Sequence, residues 1–226
     1  MTTAAQTKKI VNPLLQRHAD LALVARWIFL KPIRHIARAV LIGRTAYADE
    51  IEPQWAVIHL FQARRTFSLD WSEFVVNRRS HRPGLWLMSQ PHIQDALIEA
   101  IDEQALPRLR SVTSIEDYFA FVSGHTFRHK LFDWPDVKII VDVARGDLAA
   151  ARALRDANID RWRDNPAHDD ESRARYRRVR QLCARLDADD RPGLAALLHE
   201  WEAITVRNLK IERLWEPTPF PLELEA

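Results

Sequence analysis

The sequence predicts an α+β protein: an N-terminal helix and a small, mostly antiparallel sheet, followed by a helical region of antiparallel helix pairs. Three observations carry this expectation. Between residues 33 and 89 the apolar residues come in short β-branched and aromatic runs separated by turn-prone stretches. From Gln90 onward they recur at helical spacing behind capping residues. Composition is ordinary for a globular chain, with 47% hydrophobic and 28% charged residues over 226, enough to bury a sizeable core.

Taken in order, residues 1–9 read as a loose polar tail. In "VNPLLQRHADLALVARWIFL", Asn12 stands as an N-cap and Pro13 at the first helical position. Leu14, Leu21, Val24 and Ile28 continue the spacing, so a helix to about Phe29, ended by Pro32, is expected. "IRHIARAVLIG", "WAVIHLFQ", "WSEFVVNRR" and "LWLMS" are the strand candidates. In "WAVIHLFQ" one face carries Trp55, Val57, His59 and Phe61 and the other Ala56, Ile58, Leu60 and Gln62, the pattern of a central strand covered on both sides. Pro83-Gly84 marks a turn, making Trp71–Arg79 and Leu85–Ser89 a hairpin.

In the helical part, Ser89 stands as cap for a helix with Ile93, Leu97, Ile101 and Ala105 on one stripe, stopped by Pro107. "TSIEDYFAFV" begins at Thr113 or Ser114. "WPDVKIIVDVARGDLAAARALRDANIDRW" is two helices broken at Arg145-Gly146-Asp147, and two longer ones span about 169–187 and 190–215. A Pro-rich tail follows. "GDLAAARAL" and "PGLAALLHE", about 46 residues apart, echo one another, although two copies fall short of a solenoid. The expected organisation is a flexible tail at 1–9, a helix-plus-sheet subdomain at 10–110, a helical subdomain at 111–216 and a Pro-rich tail at 217–226, the whole being compatible with one compact domain.

Function classes can be narrowed by the totals. Net charge is +2, with six Lys against 27 Arg, a balance typical of bacterial coding rich in G and C. A single cysteine, Cys183, excludes an internal disulfide framework and fits a reducing cytoplasm. "LALVARWIFL" is too short to span a membrane, and Asp20 and Arg26 interrupt it as an export signal. A cytoplasmic protein without membrane partner or cofactor is expected.

Chemical motifs are few. "HTFRH" sets His125 and His129 four apart, but Thr126, Phe127 and Arg128 between them supply no general base and place a cation at the site. Asp133 or Asp136 would be an oxygen ligand; solvated histidines are the preferred reading. Cys183 shares a stripe with Tyr176, Val179 and Leu186, the position of a small buried hydrophobe. His35 and His59 fall inside candidate strands, where a shared side would let them line an interior ligand pocket; histidines bonded within the core are the commoner arrangement.

"RARYRRVR" groups Arg173, Arg175, Arg177, Arg178 and Arg180 on one helix. Arginines facing outward could follow phosphates, but the preceding Asp169, Asp170 and Glu171 offset the charge and also suit the helix dipole. Arg64, Arg65, Arg78, Arg79 and Arg82 lie near the expected strand ends. With Trp86 and the helix arginines Arg173, Arg177 and Arg178 they form the candidate interaction surface, because Trp and Arg are enriched in binding hot spots.

The run "LWLMSQPHIQDALIEAIDEQALPRLRSVTSIEDYFAF" resembles small uncharacterised bacterial domain families in which a short sheet precedes helices, some of them linked to toxin-immunity loci. The resemblance covers about residues 70–155 and rests on layout and capping. It implies a binding role without catalysis and transfers no functional residue. The expected function is therefore a non-enzymatic protein-interaction module, immunity-like or regulatory, for another protein that an acidic surface would suit. A small-molecule binder or enzyme using the sheet histidines is the alternative, and nucleic-acid binding through residues 173–180 the second.

Overall fold

The computed structural model describes residues 3–69, 71–80, 84–124, 134–163 and 168–224. The chain is α+β: a helix, an antiparallel sheet, then a helical region.

Helix α1 (Ala4–Arg17) begins inside the expected tail. The reason is a capping box: the Gln6 N–H donates to Thr3 Oγ1 at 3.2 Å, and Gln6 Oε1 accepts from the Thr3 N–H at 2.8 Å. Pro13 therefore lies within the helix, where it cannot donate to the Lys9 carbonyl. Gln94 compensates, donating through Nε2 to Lys9 O at 3.1 Å and Ile10 O at 3.0 Å.

The expected continuation of this helix to Phe29 is overturned. Residues 21–30 form a hairpin, β1 (Leu21–Val24) and β2 (Trp27–Leu30), turning through Ala25 at φ 55°. A short apolar run satisfies either period, and here pairing of Trp27, Ile28 and Phe29 with Leu41, Val40 and Ala39 decides. The sheet continues through β3 (Ile36–Arg44) and β4 (Glu50–His59), paired from Ile36↔His59 to Arg44↔Ile51. As the alternation predicts, Trp55, Val57 and Phe61 face the main core, whereas Ala56, Ile58 and Leu60 pack with Val206, Leu209 and Ile211 in a second cluster.

The 71–79 and 85–89 segments do not pair with each other. β5 (Ser72–Phe74) and β6 (Trp86–Leu87) each pair with β4 instead, β6 at its first residues, Glu50 and Ile51, and β5 at its middle, Gln54 to Ala56.

Helix α2 (Ile93–Ala100) follows His92, not Ser89, whose hydroxyl bonds Asp49. Pro107 does not stop the chain: a π turn at Ile101–Ala105, with the Leu106 N–H reaching Ile101 O, leads directly into α3 (Leu106–Arg110). α4 (Ile115–Gly124) is capped by Ser114 and Asp117. α5 (Pro135–Arg145) and α6 (Leu148–Asn158) meet at Gly146, φ 85°, with Asp147 as cap. α7 (Asp170–Asp187) and α8 (Arg191–Leu209) form the second pair, so the two echoing segments are the opening turns of α6 and α8, each behind an Asp cap.

α8 ends at Lys210, φ 58°, short of the expected 215. Beyond it Ile211 is buried, the segment at Trp215 bridges to Ile33, and Phe220 is fully buried before α9 (Pro221–Leu224). Phe220 and Leu222, within the expected Pro-rich tail, thus belong to the core, which runs from Ile10 to Leu222.

Candidate functional site

His59 ends β4 in full burial. A neutral imidazole has one donor and one acceptor, and both find partners: Nε2 lies 2.9 Å from Gln62 Oε1 and Nδ1 2.8 Å from the Tyr118 hydroxyl. Arg64 Nη2 approaches Nε2 to 3.3 Å. Burial first, then the Arg64 charge, holds this ring well below the usual histidine range, against an opposing hydrogen bond from Gln62.

His35, just before β3, is almost as buried but bonds elsewhere. Its Nδ1 sits 3.1 and 3.2 Å from the two oxygens of Glu202, a carboxylate of α8 with no exposure. Nε2 meets Thr218 Oγ1 at 3.1 Å and Pro219 O at 3.2 Å, and the ring stacks on Phe220 at 4.0 Å. His199 joins through Glu223, 2.8 Å away. The two sheet histidines both flank Phe61, but each is bonded to its own partners. His125 and His129 lie outside the described residues. Among the described residues no group of three His, Cys, Asp or Glu is placed to hold a metal ion.

The Cys183 thiol is pushed up to about 11, chiefly by burial, so at neutral pH it is protonated and a poor nucleophile.

The expected arginine surface divides. Arg79 pairs with Glu99, and Arg78 stands 3.9 Å from Glu103, so both lean on the α2 region. Arg82 lies outside the described residues. Trp86 is corrected outright: it is 1% exposed, with Nε1 donating to Val75 O at 2.9 Å, and supports the sheet from within instead of presenting a surface. On α7, Arg173 bonds Asp170 and His168 O, Arg175 stands 3.2 Å from the buried Asp136, and Arg180 donates to Trp162 O. A continuous row of outward guanidiniums is therefore not formed.

What the fold does bring together is Arg64 and Arg65, from the loop after β4, with Arg175 and Arg178 of α7. The loop is anchored on α8: the Arg64 N–H donates to Thr205 Oγ1 at 2.9 Å, and Asn208 Nδ2 donates to Arg64 O at 2.9 Å. Arg178 is half-buried and makes no hydrogen bond or ion pair among the described residues. Burial, then the charges of Arg175, Arg65 and Arg64, lowers its pKa, while Glu171 pulls the other way. Arg177 beside it is exposed. Sequence reasoning grouped Arg64 and Arg65 with Arg177 and Arg178 among the candidate surface residues, but it also included Arg78, Arg79 and the buried Trp86, because 64–65 and 175–178 are far apart in the chain and no local signal sorts them.

Comparison with protein-family models, with curated proteins and with solved structures gave no match. Among the described residues no helix is long and apolar enough to cross a membrane.

Proposed function

We propose that the protein is a non-enzymatic binding module whose arginine face, built from Arg64, Arg65, Arg177 and Arg178, receives an acidic surface of another protein. One observation carries this reading: Arg178 is a half-buried guanidinium without an acceptor among the described residues, set among three further guanidiniums. Like charges gathered in reduced dielectric repel, and a partner carboxylate would relieve that repulsion and supply bidentate bonds. Protein carboxylates suit the face better than a nucleic-acid backbone, because Arg173, Arg175 and Arg180 are turned to partners within the chain and leave no continuous row of cations along α7 to follow phosphates. An immunity-like or regulatory role in a bacterial cytoplasm agrees with this chemistry and with the lone protonated thiol.

The test is fluorescence anisotropy with a labelled Asp/Glu-rich peptide and, separately, a labelled duplex DNA. The peptide is expected to bind more tightly than the duplex, with affinity falling as salt rises. Two variants, R65E/R178E and the fully exposed R65E/R177E, are expected to weaken it by about tenfold or more. Unaltered peptide binding by both variants, or tighter binding of the duplex, would overturn the reading.

A further inference from the structure

A second feature lies away from the arginine face, where β3 begins beside the N-terminus of α4 and the returning chain end. Lys31, Pro32, Arg34, His35, Ile36 and Arg38 form one wall of a cleft of about 570 Å3. Val112, Thr113, Ser114 and Ile115 form the second, and Thr218, Pro219, Pro221 and Leu224 the third. Its size falls in the range of about 300–1,000 Å3 usual for small-molecule sites. Seven of these residues are apolar (three prolines, two isoleucines, Val112 and Leu224), and Leu224 stands 72% exposed at the edge.

The charged residues of the lining are all cations, and no aspartate or glutamate is among them. Arg38 spans two of the walls, donating through Nη1 to Val112 O and through Nη2 to Pro32 O, both at 3.1 Å. A guanidinium has five N–H donors. Both acceptors here are neutral carbonyls, so the charge of this half-buried group is not matched by any carboxylate bonded to it. The Lys31 ammonium has no partner among the described residues. Among the described residues Arg34 pairs with Glu216 alone, at 3.8 Å and more than half exposed on both sides, which is a weak and readily exchanged contact.

The other polar groups nearby are already occupied. Asp117 accepts the N–H groups of Thr113 and Ser114 at 2.9 Å each, closing the start of α4. His35 is held by Glu202, Thr218 and Pro219, and Glu223 by His199 and the Phe220 N–H. Anion recognition therefore falls to Arg38, Arg34 and Lys31, and the three prolines and Leu224, which keep accessible surface, are left to meet something apolar.

The geometry points to a ligand site here for an amphipathic monocarboxylic acid, its carboxylate on Arg38 and Arg34 and its hydrocarbon body along Pro219, Pro221 and Leu224. A carboxylate matches the planar fork of a guanidinium, and an apolar body removes the surface of Leu224 and the prolines from water. Inorganic anions would use only the first half of the site, and neutral lipids only the second.

The experiment is isothermal titration of the full chain with octanoate, with its neutral amide octanamide, and with inorganic phosphate. Octanoate is expected to bind one equivalent at least about tenfold more tightly than octanamide, a difference of about 1.4 kcal/mol, and phosphate to bind more weakly than either. The double variant K31Q/R34Q, both side chains being exposed, is expected to remove most of the octanoate preference. L224E, which sets a carboxylate at the cleft edge, is expected to weaken octanoate about tenfold. Equal affinity for acid and amide, no octanoate binding, or full binding by both variants would overturn the assignment. R65E/R178E serves as the reference, expected to bind octanoate as the parent chain does.

Discussion

At the scale of single residues, His59 shows how burial converts a titratable group into a structural one. Its ordinary value is 6.5, and burial with Arg64 nearby sets the folded value well below that. Between the two values the unfolded chain binds a proton that the folded chain refuses. Stability from this residue is therefore complete above about pH 6.5 and declines as pH falls, with a slope approaching 1.4 kcal/mol per unit, about tenfold in the folding constant. The charged and titratable neighbours are Arg64 and Tyr118. Urea melts between pH 5 and 7 should show a shallower acid decline in H59Q than in the parent chain, and parallel declines would mean that His59 is not held neutral. The sequence suggested a core histidine at this position, from apolar neighbours on a strand. It carried no sign of Tyr118 as a partner, because a contact across 59 residues has no local signature.

Among elements, the β3–β4 pair is the frame on which the rest is built, and its alternation was readable. Two largely apolar faces in "WAVIHLFQ" mean a strand with a layer on each side, which the two core clusters supply. Gly43 permits the closest approach in that pair: a Cβ there would lie 2.4 Å from Glu52 O. G43A is expected to lose about 1–3 kcal/mol, since neither strand backbone can retreat without loosening the ladder. A denaturation midpoint within error of the parent would show that the strands part freely at this point. The misread elements share one cause. Residues 21–30 and the Pro107 region were assigned from local periodicity and from proline alone. Pairing with β3 captured the first, and a π turn with Leu106 bonded to Ile101 carried the chain through the second.

For the whole molecule, the decisive feature is the return of the chain end onto the sheet. Phe220 stacks on His35 and contacts Phe61 edge-on, and Glu202 fixes the same histidine from α8. F220A is expected to cost about 3–5 kcal/mol, as for other buried aromatics, measured by equilibrium urea unfolding. A loss below 1 kcal/mol would return residues 216–224 to the status of a tail. The same return builds one wall of the cleft, so the candidate ligand site depends on long-range packing that no window of sequence contains.

By itself the sequence determined the α+β class, the two-sided central strand, the paired helices and the supply of arginines, because period and composition are local properties of consecutive residues. Only the tertiary structure decided which arginines stand together, that Trp86 is interior, that His35 and His59 serve separate networks, and that the chain end is core. Those outcomes depend on which distant surfaces exclude water together and which buried charges find a partner, and both are settled between segments, not within them.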